Sequence, residues 1–167
     1  MTILEIVRHP SPILTTPCEE VTVFDEKLGV LLDDMYETMV EHDGVGIAAP
    51  QVGKSIRVAI VDFDEEQEII EMINPVVTAI GGSEVEVEGC LSFPGLFGEV
   101  ERPFHVKIEA QERDGSLYEL EAEGYEARAI LHEIDHLNGI LFDKKITRVV
   151  DPSEFEDEDE DEEEGDE

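Results

Sequence analysis

The segment from Tyr125 to Leu137 places the strongest constraint on how this chain can fold. Its apolar residues fall at helical spacing, but they surround the helix axis instead of forming one stripe. This distribution is typical of a helix that is buried on most sides. Gly139 follows at a position where helices commonly end. Because a buried helix must be covered by other elements, we expect the rest of the chain to pack around it.

The remaining elements predict an α+β fold. Apolar residues recur at helical spacing from Asp25, which can cap a helix, to His42, and Gly44 can stop it. Runs rich in β-branched residues and one hairpin pattern predict strands at 56–61, 69–73, 76–80, 84–87, 105–109 and 116–120. The proline-rich segment 10–20 predicts extended chain. Strands and helices do not alternate, which favours short antiparallel sheets around the central helix, with an amphipathic N-terminal helix beside them.

Charge divides the chain into a body and a tail. The 167 residues contain 44 Asp and Glu against 11 Lys and Arg, a formal charge of −33. This excess excludes electrostatic attraction to nucleic-acid phosphates or to anionic membranes. Residues 151–167 contain 13 acids and no base, so they cannot bury apolar surface. We therefore predict one folded domain over residues 1–150 and an acidic, disordered tail over 151–167.

The sequence also carries no mark of a secreted or membrane protein. Its longest run without a charged residue is the 12 residues of 72–83, shorter than the roughly 18 that a membrane span needs. No basic stretch precedes an apolar one at the N-terminus, so we expect no signal peptide. Two cysteines fit a reducing compartment. We expect a cytoplasmic monomer, in a bacterial-type cytosol or an organelle stroma, with no membrane and no direct nucleic-acid partner.

The strongest chemical signal is the run His132-Glu133-Ile134-Asp135-His136. Positions i and i+4 lie on one face of a helix, so both imidazoles can bind one metal ion. Glu133 lies about 100° round the helix from His132, near enough to take a proton from a water on that metal. Unpaired ionisable groups on a buried helix would lose hydration without compensation, which disfavours a chance arrangement.

A catalytic site of this kind needs a third protein ligand. One metallopeptidase pattern places a His six residues after the second helical His, where this chain has Phe142, and downstream only Asp143 precedes the tail. Upstream, Cys90 offers a soft thiolate, and one Cys with two His suits Zn²⁺ or Fe²⁺. A free Cys is more often a small buried apolar residue, which is how we interpret Cys18. From the residues alone, both interpretations of Cys90 remain open.

A third cluster runs from Gly44 to Gln51, with the sequence Gly-Val-Gly-Ile-Ala-Ala-Pro-Gln. Its small residues allow a backbone to approach a ligand closely, and Gln51 could donate a hydrogen bond to a developing oxyanion. Taken alone, the cluster fits a tight turn into a strand equally well.

Together and in this order, the three clusters resemble peptide deformylases. The motifs are G-x-G-x-A-A-x-Q at 44–51, E-G-C-L-S at 88–92 and H-E-x-D-H at 132–136, and the resemblance spans about residues 5–145. The stretches Glu88–Pro103 and Ala127–Phe142 are similar to the branch that includes the plastid, type 1B enzymes. The C-terminus departs from the family, because many bacterial members continue into a further helix where this chain has a shortened, acidic end.

The resemblance implies a hydrolase that removes the formyl group from the N-terminal formylmethionine of nascent polypeptides and releases formate. It implies one divalent metal ion, Fe²⁺ in the cell, with Zn²⁺, Ni²⁺ or Co²⁺ as alternatives. The implied metal ligands are Cys90, His132 and His136. Glu133 would be the general acid and base, with an oxyanion site at Gln51 and the backbone N–H of Leu91. The implied substrate contacts are Val45, Gly46, Tyr125 and Ala129, and Glu88 and Arg102 are expected to form an ion pair behind the metal.

Two other functions are weighed against this one. A metallopeptidase that cuts internal peptide bonds is disfavoured by the Cys ligand, by Phe142 in place of a His and by the Gln51 loop. A non-catalytic binding module stabilised by metal is disfavoured because closed structural sites use four protein ligands. Such a module would also have no use for Glu133.

Overall fold

Helix α2 (Gly124–Leu137) is the buried element around which the chain is organised. The computed structural model describes residues 3–8, 11–42, 44–62, 69–90 and 92–150. Ten of the fourteen residues of α2 are buried, which confirms the predicted central helix. Gly139, just past its end, has a φ of 75°, a conformation that glycine adopts without steric cost.

Two antiparallel sheets surround this helix, which confirms the predicted α+β class. The strands are β1 (Gly46–Ala48), β2 (Val58–Asp62), β3 (Ile69–Gly81), β4 (Glu84–Cys90), β5 (Phe93–Arg102), β6 (His105–Gln111), β7 (Leu117–Glu123) and β8 (Ile146–Val150). One sheet has the order β1-β2-β3-β6-β7 and the other β4-β5-β8. Strands β1 and β4 are therefore edge strands of different sheets, and each has one edge without a strand partner in the described ranges.

The five-stranded sheet lies between α2 and the N-terminal helix α1 (Glu26–Glu41). Successive side chains of a strand point to opposite faces, and β2 is apolar on both. Ala59 and Val61 pack into the cluster that contains α2, whereas Val58 and Ile60 pack against α1. Each fully buried Val or Ile side chain stabilises the fold by about 1.5–3 kcal/mol. This two-sided burial explains why β2 reads as a continuous apolar run.

Helix α1 begins where the sequence predicts. The side chain of Asp25 accepts a hydrogen bond from the backbone N–H of Leu28 at 3.2 Å and so caps the helix. The helix ends at Glu41, three residues before the predicted stop. The N–H of Gly44 then donates to the carbonyl of Met39 at 2.9 Å, which satisfies one carbonyl of the last turn.

The structure corrects one expectation. The two strands predicted at 69–73 and 76–80 are parts of the single strand β3. The strand is interrupted between Ile73 and Val76, where its register to β6 shifts. Asn74 has a φ of 52° there, and its side chain bonds both backbone groups of Val21, at 2.8 and 2.9 Å. Pro75 cannot donate to a ladder, so the sequence pattern breaks although the strand continues as a bulge.

Three other expectations differ from the structure. The sequence did not predict β5, whose Pro94 and glycines interrupt the strand pattern, or the short strand β8. Within 10–20, Pro12–Thr15 form a 3₁₀ helix instead of extended chain, because proline is tolerated in a first helical turn. Gly98 of β5 lies so close to β8 that a Cβ would stand 2.6 Å from the side chain of Ile146. The pairing of β5 with β8 therefore requires a glycine at this position.

The predicted tail, residues 151–167, lies outside the described residues. Within the described ranges, no helix combines the length and the apolar character that crossing a membrane would require.

Candidate metal and active site

The structure brings the three predicted metal ligands together. Cys90 is the last residue of β4, and His132 and His136 are one turn apart on α2. Their ligand atoms all lie within 4.8 Å of one another, with Cys90 Sγ 3.3 Å from His136 Nε2. One sulfur and two imidazole nitrogens form a donor set that fits Fe²⁺ or Zn²⁺. The residues present therefore fit one divalent cation.

The two imidazoles differ in protonation because their surroundings differ. Burial lowers the pKa of His136 well below its usual value, so this ring is neutral, the form that binds a metal. Burial alone would also lower the pKa of His132. Hydrogen bonds to Cys90 and Glu88, and the charge of Glu133, instead raise that pKa to about 10. A cation must displace a proton from His132, so metal binding releases protons.

Glu88 fixes the orientation of His132. Its Oε1 lies 2.9 Å from His132 Nδ1, which leaves Nε2 directed toward the candidate metal position. Arg102 binds both carboxylate oxygens, with Nε 2.5 Å from Oε2 and Nη2 2.9 Å from Oε1. Burial would raise the pKa of Glu88, but the hydrogen bonds from His132 and Arg102 lower it to about 2. The expected Glu88–Arg102 ion pair is therefore present, buried and directly behind a ligand.

Two residues of this charge network were missed by the sequence analysis. Arg128 donates from Nη1 to Glu88 Oε2 at 2.6 Å, and Asp135 accepts from Arg102 Nη1 at 2.8 Å. Buried charges require partners. The signal that could have found Arg128 is its position one turn before His132 on a helix that the sequence predicts to be buried.

Glu133 is buried beside the ligands. Its Oε1 is buried and has no hydrogen-bond partner among the described residues. Burial raises its pKa to about 7, against the opposing charges of His132 and Arg102. A carboxyl group with such a pKa can both accept and return a proton near neutral pH. A Cβ at Gly46 would stand 2.5 Å from Glu133 Oε2, so the glycine makes room for this carboxyl.

The side-chain amide of Gln51 is directed toward the candidate metal ligands. The residue lies in a short 3₁₀ helix after β1, and its Oε1 accepts a hydrogen bond from the N–H of Ala48 at 2.9 Å. This bond orients Nε2, which lies 3.6 Å from Cys90 Sγ and 3.2 Å from Ser92 Oγ. Leu91, whose backbone N–H is the other predicted donor, lies outside the described residues.

A cavity of about 800 Å³ opens onto these groups between the edge strands β1 and β4. Such a volume is typical of small-molecule and cofactor sites. All four predicted substrate contacts line it, namely Val45, Gly46, Tyr125 and Ala129. Leu96 and Phe97 of β5 add apolar lining that the sequence analysis did not predict. Two of the predicted ligands, Cys90 and His132, thus face one space with the proton acceptor, the oxyanion donor Gln51 and the substrate contacts. The third ligand, His136, adjoins Cys90.

Known proteins resemble this chain in sequence and in fold. A polypeptide deformylase family model matches residues 3–151. Peptide deformylase 1 of Bacillus cereus is 56% identical over 156 residues, 93% of this chain and all of that protein. The crystal structure of peptide deformylase from Thermotoga maritima superposes with a TM-score of 0.85 at 42% identity, over 88% of this chain and 99% of that one.

A plant structure is also similar. Peptide deformylase 1B of Arabidopsis thaliana superposes with a TM-score of 0.83 at 37% identity, over 86% of this chain and 82% of that one. This value does not exceed that of the bacterial structure, so placement in the plastid branch stays a prediction. Nearly complete coverage at high identity, together with a preserved fold, confirms the family that the three motifs predicted. The chain belongs to the polypeptide deformylase family.

Proposed function

We propose that this chain hydrolyses the N-formyl group of formylmethionyl peptides at the site between α2, β1 and β4. The reaction of the family, removal of the formyl group from nascent peptides, is the reaction of this chain. The observation that supports this site is the Cys90, His132 and His136 group, whose ligand atoms lie within 4.8 Å of one another and of which Cys90 and His132 line the cavity. No other cluster of His, Cys, Asp and Glu that fits a metal occurs in the described part of the chain.

We propose that Cys90, His132 and His136 hold one divalent cation. Thiolate with two imidazoles accepts Fe²⁺, Zn²⁺, Ni²⁺ or Co²⁺, and we propose Fe²⁺ in the cell. When bound, such a cation supplies Lewis acidity, which lowers the pKa of water from 15.7 to roughly 7 and polarises a carbonyl oxygen. Three protein ligands leave a coordination position for solvent.

Glu133 moves the proton in the proposed reaction. It accepts a proton from the attacking water, whose oxygen adds to the formyl carbon. As the bond from this carbon to the methionine nitrogen breaks, Glu133 returns the proton to that nitrogen. The products are formate and a free amino terminus. The pKa of about 7 suits a group that performs both transfers near neutral pH.

Gln51 stabilises the charge that develops on the formyl oxygen. Its Nε2 lies beside Cys90 Sγ, with its orientation held by the bond from Ala48. An N–H donor already in place before the reaction costs no reorganisation when the oxyanion forms. We propose the backbone N–H of Leu91 as the second donor.

The peptide lies between two strand edges. Because β1 and β4 border the cavity from different sheets, an extended peptide can add its own backbone hydrogen bonds to them. We propose that Gly46 follows the peptide backbone. Val45, Tyr125 and Ala129 then receive the methionine side chain, whose flexible thioether fits an apolar pocket.

Replacing Gln51 by Leu removes the oxyanion donor and keeps the side-chain volume. We expect kcat to fall by about 10²–10³-fold, the usual effect of losing one such donor, with metal content unchanged. Gln111→Leu is the matched control, because that amide bonds Asn74 and the carbonyl of Gly115 away from the cavity. Equal losses of kcat in the two variants would contradict the role of Gln51.

We propose that residues 1–150 form the catalytic domain, in agreement with a family match over 3–151, and that the acidic tail does not take part in the reaction. Deleting residues 153–167 leaves strand β8 complete. Its last residue, Val150, keeps its pairing with Phe97. We expect kcat and KM to remain within about twofold, because a run as acidic as this one cannot bury apolar surface. A large loss of formate release in the truncated chain would contradict this expectation.

We further propose that the chain acts as a monomer in the cytoplasm, where nascent chains are its partners. With a net charge of −33, it has no electrostatic attraction to nucleic acid or to anionic membranes.

Two peptides separate deformylation from cleavage of internal bonds. We expect formyl-Met-Ala-Ser to release formate and to keep both peptide bonds, and unformylated Met-Ala-Ser to remain intact. Cleavage of the unformylated peptide would support a metallopeptidase instead. Metal binding without formate release would support a binding module.

A further inference from the structure

We propose that Arg128 is a positioning residue that couples the edge strand β4 to the metal ligand His132. The inference rests on the proposed function of the site, because it concerns how the peptide and the metal are held relative to each other.

Arg128 and His132 hold the two oxygens of one carboxylate. They lie four residues apart, so they share a face of α2. His132 Nδ1 lies 2.9 Å from Glu88 Oε1, and Arg128 Nη1 lies 2.6 Å from Glu88 Oε2. Successive turns of the helix therefore hold Glu88, and a displacement of Arg128 would move the carboxylate that orients His132.

The same guanidinium binds the backbone of two strands. Nη1 also donates to the carbonyl of Val100 in β5 at 2.8 Å, and Nη2 donates to the carbonyl of Glu84, the first residue of β4, at 2.7 Å. The side chain of Arg128 is buried. Because the guanidinium is planar and rigid, its donors cannot move independently. The start of β4 and the carboxylate behind His132 are thus held at a fixed separation.

Arg102 does not provide this connection. Its guanidinium binds the side chains of Glu88 and Asp135, and among the described residues none of the hydrogen bonds of this side chain reaches the backbone of β4. Within the described part of the chain, strand β4 has a strand partner on one edge only, and its end and its Val87–Gly89 stretch border the cavity. The bond from Arg128 therefore holds the start of β4 to α2, whereas the contacts of Glu88 and Cys90 hold its far end. The fit of a peptide that lies along β4 depends on the position of that start.

The test uses Arg128→Met and Arg128→Lys, with Arg57→Met as the control. Lysine keeps the charge but lacks the fork that binds Glu88 and both strands together. Arg57 also joins α2 to a strand, through Asn138 Oδ1 at 2.9 Å and the carbonyl of Pro75 at 3.0 Å, but at the far end of the helix. Each variant is loaded with Co²⁺ alone for its absorption spectrum and Co²⁺ dissociation constant, and is assayed with formyl-Met-Ala-Ser.

We expect both Arg128 variants to change the Co²⁺ spectrum, to weaken Co²⁺ binding about 10-fold or more, and to raise KM more than they lower kcat. Arg57→Met should leave the spectrum and KM unchanged even if its melting temperature falls. Wild-type spectrum and KM in both Arg128 variants would overturn the inference. If Arg128→Lys alone behaved like the wild type, coupling of β4 to His132 through the guanidinium fork would be overturned, and Arg128 would act only through its positive charge. If Arg128→Met does not fold, Arg128→Lys decides by the same criteria.

These outcomes are separable from failure of the proposed function. Absence of formate release by the unaltered chain would contradict deformylation. The Co²⁺ spectra would still report whether Arg128 holds His132.

Discussion

Glu133→Gln lowers kcat for formate release by about 10²–10⁴-fold, the range that general acid–base catalysis contributes, and leaves one cation bound per chain. Glutamine has the same shape but cannot accept a proton from water and return it to the leaving nitrogen. The metal ligands are untouched by this change. The measurement is the rate of formate release together with the metal content of the same sample.

The control for this variant is Glu126→Gln. Glu126 lies on the same helix but is exposed, so its loss should leave kcat unchanged. Formate release by Glu133→Gln at the rate of Glu126→Gln would contradict the role of Glu133 in proton transfer.

Cys90→Ala has the second large expected effect. We expect this variant to lose the cation and, with the cation, its activity. Removing a partner that only orients a ligand costs roughly 10–100-fold in metal affinity, and removing a ligand should cost more. The two remaining imidazoles, 5.1 Å apart between ring centroids, would form an incomplete site. Metal content after dialysis and formate release measure the effect.

Cys18→Ala is the matched control, since Cys18 is partly buried in the apolar cluster around α2 and is not a ligand. We expect it to retain its metal. Equal metal content in Cys90→Ala and Cys18→Ala would show that the thiolate of Cys90 does not hold the cation.

The elements that were predicted correctly have local causes. Helix α2 has apolar residues all round its axis, helix α1 has a cap and a stripe, and the β6–β7 hairpin has its turn at Asp114-Gly115. Each pattern is contained within one segment of about 15 residues, so the sequence displays it directly.

The elements that were missed depend on distant partners. Strand β5 contains one proline and two glycines that oppose a strand, and it exists because β4 and β8 flank it. Strand β3 continues through Asn74 because Val21, 53 residues earlier, satisfies that side chain. Tertiary pairing outweighs local propensity at both places.

The residues of the site also fall into those that a local pattern predicts and those that depend on distant partners. The spacing of His132, Glu133 and His136 lies within one helix, so the sequence predicts two ligands and a proton acceptor. Cys90 is 46 residues from His136, and without the family resemblance its interpretation stays open. Arg128 was missed because its partners, Glu84, Glu88 and Val100, all belong to other elements.

The central claim is that one cation, held by Cys90, His132 and His136, makes this chain a deformylase. The most direct test is to titrate the metal-depleted chain anaerobically with Fe²⁺ and to measure formate release from formyl-Met-Ala-Ser. We predict that activity rises in proportion to added metal and stops rising at one ion per chain. Full formate release from the depleted chain in the presence of a chelator, or none at one bound ion per chain, would contradict the account.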